Sequence, residues 1–133
     1  VLTKFQGIAK LADFGCSKQL QGMRTQSFDE SFAGIRGSVP WMAPEMIKQT
    51  GHGRSADIWS VGATMIEMAT AHYPWPAFSN KFAAMFHVAT ATEPPPIPET
   101  LSPDAKDFLS SCLIINPDLR MKAWELLQHQ VKK

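Results

Sequence analysis

The chain of 133 residues predicts a mainly helical domain with a short β-hairpin at its front. Three observations carry that reading. The stretch from Ala56 to about Thr70 is apolar at nearly every position, too long for an ordinary strand. Pro44 and Pro103 stand where a helix tolerates a residue without an N–H, in its first turn. Strand-type alternation is confined to the first eighteen residues.

Each element follows from local punctuation. Val1–Thr3 and Ile8–Leu11 flank a turn at Gln6-Gly7, a small hairpin within residues 1–18. From Gln19 to Val39 the chain is polar and aperiodic, and reads as a mobile loop whose length suggests a functional segment. Glu45–Gln49 makes a short helix with Pro at its entrance, stopped by Thr50-Gly51-His52-Gly53. Ser55 is expected to cap the next helix, with Asp57 in its first turn, where a carboxylate offsets the helix dipole. Ile58, Trp59, Val61, Ala63, Met65, Ile66, Met68 and Ala69 make that helix apolar nearly all round, so it is expected to be buried centrally. Tyr73-Pro74-Trp75-Pro76 ends it. Asn80 to about Thr90 is a third helix, closed by Glu93-Pro94-Pro95-Pro96. Ser102-Pro103-Asp104 starts a fourth that runs to about Leu113, and Leu119–Gln130 is the last.

Composition narrows the classes. A content of 44% hydrophobic residues, with four Trp and eight Phe, is that of a globular chain. The net charge of +1 comes without a basic stripe, which argues against nucleic acid as a partner. The N-terminus has no signal-peptide pattern, and the most apolar run, Ile58–Met68, is too short for a membrane span and contains Glu67. Cys16 and Cys112 lack metal-ligand spacing and read as two buried free thiols of a reducing, cytoplasmic compartment. His52, His72, His87 and His129 share no i,i+4 spacing that would suit a metal. Pro95-Pro96-Ile97-Pro98 has PxxP spacing but reads as a stiff connector, and the Met residues of the long helix read as core filling. The opening on Val1-Leu2, without Met or cap, points to a piece of a longer chain.

Four motifs then stand in order: KLADFG around Asp13-Phe14-Gly15, WMAPE around Ala43-Pro44-Glu45, SADIWSVG around Asp57, and NPDLR ending at Arg120. Together they resemble the C-terminal lobe of the eukaryotic protein kinases, over essentially the whole chain. The fold that this implies is the C-terminal lobe of the protein-kinase-like fold, an incomplete α+β domain. Residues 1–18 would be its hairpin, 13–45 its activation segment and 45–130 its helical subdomain. The wording GCSKQL, GHGRSADIWSVG and PWMAPEMIKQ is most similar to the mitogen-activated protein kinase kinase kinase group.

The resemblance assigns roles residue by residue. Asp13 matches the Mg²⁺ ligand, where a hard ionised oxygen is needed to hold the metal against ATP phosphates. Phe14 would pack beneath it and Gly15 would allow the turn. Glu45 and Arg120 match a structural pair, because a buried carboxylate needs a guanidinium partner. Asp57 matches the aspartate that holds the catalytic-loop backbone. Ser38, with Val39 and Trp41, matches the substrate-facing end of the activation loop in Ser/Thr kinases. Tyrosine kinases usually carry a proline followed by a basic residue before that tryptophan, and none is present here. Gly37-Ser38-Val39-Pro40-Trp41 departs from the commoner Gly-Thr-Pro-Tyr-Trp, which leaves fine substrate preference open. Thr25, Ser27, Ser31 and Ser38 are candidate phosphosites, with Lys18 as a cationic partner by family position.

The implied activity is transfer of the ATP γ-phosphoryl to protein Ser or Thr, with ATP and Mg as cofactors. The expected partners are a protein substrate, in this group a downstream kinase, and the missing N-terminal lobe. The family's catalytic aspartate, its second Mg²⁺ ligand, its ATP-positioning lysine and its glycine-rich loop match nothing in this sequence. No catalytic residue is therefore assigned in this chain, and the 133 residues alone are expected to be inactive and only marginally soluble. The alternatives are a non-catalytic interaction module, docking a partner between the Asn80 helix and the loop before it, and a degenerate kinase. Retention of Asp13, Gly15, Glu45, Asp57 and Arg120 argues against the latter.

Overall fold

The computed structural model describes residues 2–3, 9–15, 17, 38–50 and 53–129. β1 (Leu2–Thr3) and β2 (Ala9–Lys10) pair antiparallel, Leu2 opposite Lys10 and Thr3 opposite Ala9. Leu11 lies beyond the second strand, and Val1, Ile8 and the expected turn lie outside the described residues. So does the expected loop, apart from its last two residues, Ser38 and Val39. A single 3-10 turn (Val39–Trp41) then leads into α1 (Pro44–Lys48), α2 (Arg54–Thr70), α3 (Lys81–Thr90), α4 (Pro103–Cys112) and α5 (Ala123–Leu126).

Three helix starts obey local chemistry. Pro44 occupies the first position of α1, one residue earlier than expected, where its missing N–H leaves no bond unmade. The Asn80 side chain accepts from the Ala83 N–H at 2.9 Å and caps α3. Ser102 does the same for α4, accepting from Ala105 N–H at 3.2 Å, with Pro103 next. Replacing Asn80 by Ala is expected to cost about 1 kcal/mol of stability. A shift of the denaturation midpoint by less than a few tenths of that would show that the cap is not holding α3.

The start of α2 corrects an expectation. Gly53, not Ser55, is the cap residue, and no side chain caps this helix. Ser55 lies inside the first turn, and its backbone carbonyl accepts from the Arg120 guanidinium at 2.8 Å. As expected, α2 is central to the core, with one stripe left exposed. Ala56, Trp59, Gly62, Ala63 and Ile66 face the core, while Arg54, Asp57, Val61 and Met68 form an exposed stripe, with Met68 73% exposed. The described helices α3 and α4 and the Val39–Trp41 turn cover only one side of it.

The last helix is also much shorter than its expected span of Leu119–Gln130. Asn116 Oδ1 accepts from Asp118 N–H at 3.0 Å and winds residues 116–119 into a turn, leaving Leu119 exposed. Arg120 then points inward to its ion pair with Glu45. Helix formation resumes only where Glu125 Oε2 accepts from Lys122 N–H at 2.6 Å, and α5 is one turn long.

The core is built around α2. A Cβ at Gly62 would lie 2.9 Å from Cys112 Cβ and 2.9 Å from Leu113 Cγ, so the absent side chain is what lets α4 approach. Leu109, Cys112 and Leu113 are fully buried there. Burial pushes the Cys112 thiol up to about 11, with the Arg120 charge opposing. Cys16, the other expected buried thiol, lies outside the described residues. Trp59 and Trp75 stack at 6.5 Å, and Val88 and Met85 of α3 close the core on that side. Pro95 is fully buried, so the proline run packs onto this core as a connector. No helix among the described residues is long and apolar enough to cross a membrane.

Candidate functional site

Asp13 adopts a left-handed backbone, φ 62°, which an aspartate tolerates better than most residues. Its carboxylate is exposed and accepts only a long hydrogen bond, 3.4 Å, from Gly15 N–H. A Cβ at Gly15 would sit 3.3 Å from Asp13 Oδ1, so glycine keeps that side of the carboxylate open. Ser17 steadies the turn, its hydroxyl donating to the Phe14 carbonyl at 2.6 Å. Phe14 is 66% exposed. No group of three or more His, Cys, Asp or Glu residues gathers into a metal site among the described residues. Asp13 would offer one hard oxygen donor to a Mg²⁺ ion, the donor type that ion prefers.

The second part of the site runs from Ser38 to Glu45. Ser38 is extended and exposed, while Val39, Met42 and Ala43 are buried and tie the segment to the core. Trp41 is held three ways. Its indole N–H donates to Glu67 Oε2 at 2.9 Å, its carbonyl accepts from Ser60 Oγ at 2.8 Å, and its ring meets Tyr73 edge-on at 5.3 Å. Glu67 and Ser60 both come from α2, so the long helix sets the height of this loop. Between the loop and α3 lies an open groove of about 440 Å³, walled by Ser38, Val39, Trp41, Tyr73, Trp75 and Phe78, with the first turn of α3 at its rim.

The segment ends at a buried ion pair. Arg120 Nη1 donates to Glu45 Oε1 at 2.7 Å and Nη2 donates to Oε2 at 3.1 Å. The remaining guanidinium N–H groups reach the carbonyls of Ile114, Ser55 and Ile115 at 2.9, 2.8 and 3.4 Å. All five donors are used, and the cation lies 5.1 Å from the Trp59 ring centroid. Asp57 is exposed on the open stripe of α2.

The structure therefore brings Ser38, Val39 and Trp41 to one groove and joins Glu45 to Arg120. Lys18, Thr25, Ser27 and Ser31 lie outside the described residues. Glu67, Ser60, Tyr73 and Trp75 were not singled out as site residues from the sequence. One signal was present: Glu67 is a lone carboxylate in an otherwise apolar helical run, which needs a partner once half-buried.

A family model described as the protein kinase domain matches residues 1–131, and the chain belongs to that family. Its relatives include mitogen-activated protein kinase kinase kinases. Number 3 of that name from Arabidopsis thaliana is 51% identical over 129 residues, covering 97% of this chain and 19% of that protein. Mitogen-activated protein kinase kinase kinase A of Dictyostelium discoideum is 46% identical over 129 residues, 97% of this chain and 13% of that protein. Mitogen-activated protein kinase kinase kinase 4 of Homo sapiens is 45% identical over 130 residues, 96% of this chain and 8% of that protein. The chain spans less than a fifth of the length of these relatives.

Proposed function

We propose that the intact protein is a serine/threonine kinase of a MAP kinase cascade, passing the γ-phosphoryl of ATP to a hydroxyl of a protein substrate, itself a downstream kinase. The observation that carries this reading is the pinned loop from Ser38 to Glu45 above an open groove. A loop bonded to α2 at Trp41 and anchored at Glu45 holds its shape while a substrate chain passes over it, so orientation is fixed before binding. In this reading the groove receives the substrate segment, and Ser38, at its edge, orients the acceptor hydroxyl. Asp13 holds Mg²⁺, which neutralises charge on the transferring phosphoryl. Residues 13–45 form the activation segment, and Thr25, Ser27, Ser31 and Ser38 are its modification sites, with Lys18 as cationic partner.

The exposed stripe of Asp57, Val61 and Met68 supports the same reading, because an apolar helix face open to water is costly unless another part of the protein covers it. Asp57 there accepts hydrogen bonds from the backbone of the catalytic loop. By this reading the 133 residues alone are inactive, catalysis needs an ATP-holding lobe, and the protein works in the cytoplasm. The groove itself favours one second reading, a protein-interaction module without catalysis.

The test is phosphotransfer from labelled ATP by the intact protein, compared with Asp13→Asn. The exposed amide keeps the shape and removes the charge, so turnover is expected to fall by about 100-fold or more at an unchanged melting temperature. Equal turnover by the variant would overturn Asp13 as the metal ligand. No ATP-dependent phosphorylation by the unsubstituted protein would leave the interaction module as the surviving reading.

A further inference from the structure

The walls of the groove define the chemistry of what enters it. Val39, Trp41, Tyr73, Trp75 and Phe78 make it apolar and wide enough for an aromatic or long aliphatic side chain. Among the described residues, Lys81 is the sole charged side chain on its lining. It is exposed, and among the described residues it forms no ion pair. Lys81 is also the first residue of α3, at the positive end of the helix dipole, and the first turn of α3 carries no acidic residue to offset it. Glu67, which reaches the groove wall at Trp41, is committed to the indole N–H. An apolar slot thus lies beside a positive charge that the groove itself does not compensate.

We propose that Lys81 is a specificity-determining residue of this groove, selecting a substrate-protein segment that seats a bulky apolar side chain in the slot and sets a carboxylate beside it. The inference rests on reading the groove as the substrate groove. The apolar side chain supplies affinity by leaving water. The carboxylate meets both the ammonium group and the helix end, an interaction that salt screens.

The test measures binding of three labelled nine-residue peptides to the intact protein at low ionic strength by fluorescence anisotropy. They differ at three adjacent central positions: Glu-Phe-Glu, Lys-Phe-Lys and Glu-Gly-Glu. Ala replaces any acceptor hydroxyl, so that binding is read apart from phosphotransfer. The Glu-Phe-Glu peptide is expected to bind about five- to tenfold more tightly than Lys-Phe-Lys. The Gly peptide should be weaker by at least as much. In Lys81→Glu the charge preference inverts. That variant should fold as well as the parent, because a carboxylate at the start of a helix complements its dipole, and an unchanged melting temperature checks it. The same charge preference in both proteins, or no advantage of Phe over Gly, overturns the proposal. Inversion in a protein that phosphorylates nothing keeps Lys81 as the selector and removes the kinase reading. Asp13-dependent phosphorylation without inversion does the reverse.

Discussion

Replacing Arg120 by Met is expected to destabilise the protein by about 3–5 kcal/mol, read as the loss in denaturation midpoint multiplied by the slope. The reason is the number of partners left behind. Glu45 would keep its carboxylate in a site where its side chain is 5% exposed, without a counter-charge. The carbonyls of Ile114, Ser55 and Ile115 would lose their donors at the same time. Glu45→Gln should cost less, since an amide oxygen can still accept from the guanidinium and the three carbonyls stay bonded. The double change to Met at both positions should be milder than the sum of the single changes, because it removes both charges together. A single Arg120→Met cost below about 1 kcal/mol, or strict additivity in the double variant, would show that the pair does not close the end of the loop as the geometry requires.

Trp59→Ala is expected to cost a similar amount, about 3–5 kcal/mol. Trp59 is fully buried at the centre of α2, stacked on Trp75 and lying under the Arg120 guanidinium. Truncation would open a cavity at the junction of α2, the segment carrying Trp75 and the Arg120 turn. Trp59→Phe separates the ring from its N–H. The indole nitrogen is buried with no hydrogen-bond partner among the described residues, so Phe removes an unsatisfied donor while keeping most of the packing. The expected cost of Trp59→Phe is therefore about 1 kcal/mol. A Phe variant as unstable as the Ala variant, by chemical denaturation, would contradict this account. Because Arg120 rests on the Trp59 ring, the Arg120 and Trp59 effects should not add, and the double variant measures their coupling.

These predictions concern contacts that only the folded chain contains. The positions of α3 and α4 were legible from short-range chemistry, since Asn80 and Ser102-Pro103 stop and start helices through bonds to residues three places away. The same logic failed at Ser55, because the bond that decides its place comes from Arg120, sixty-five residues later. It failed again at Leu119–Gln130, where the Asn116 turn takes up Leu119 before a helix can start. The apolar run of α2 was read as a long, centrally buried helix, and the core is built on it, but the exposed stripe at Val61 and Met68 was not foreseen. Periodicity reports which faces could be covered, not how many partners are present to cover them.

For the candidate site, the sequence alone named the family, the helical class and the residues Asp13, Ser38, Val39, Trp41, Glu45, Asp57 and Arg120. Those are properties of motif order and spacing, which survive as a string. Only the tertiary structure decided that Glu67 and Ser60 hold Trp41, that a groove opens between that loop and α3, and that Lys81 lies on its rim. Such facts depend on side chains from distant parts of the chain meeting within a few ångströms. Local pattern carries no record of that distance, because hydrogen bonds and packing act through space and not along the backbone.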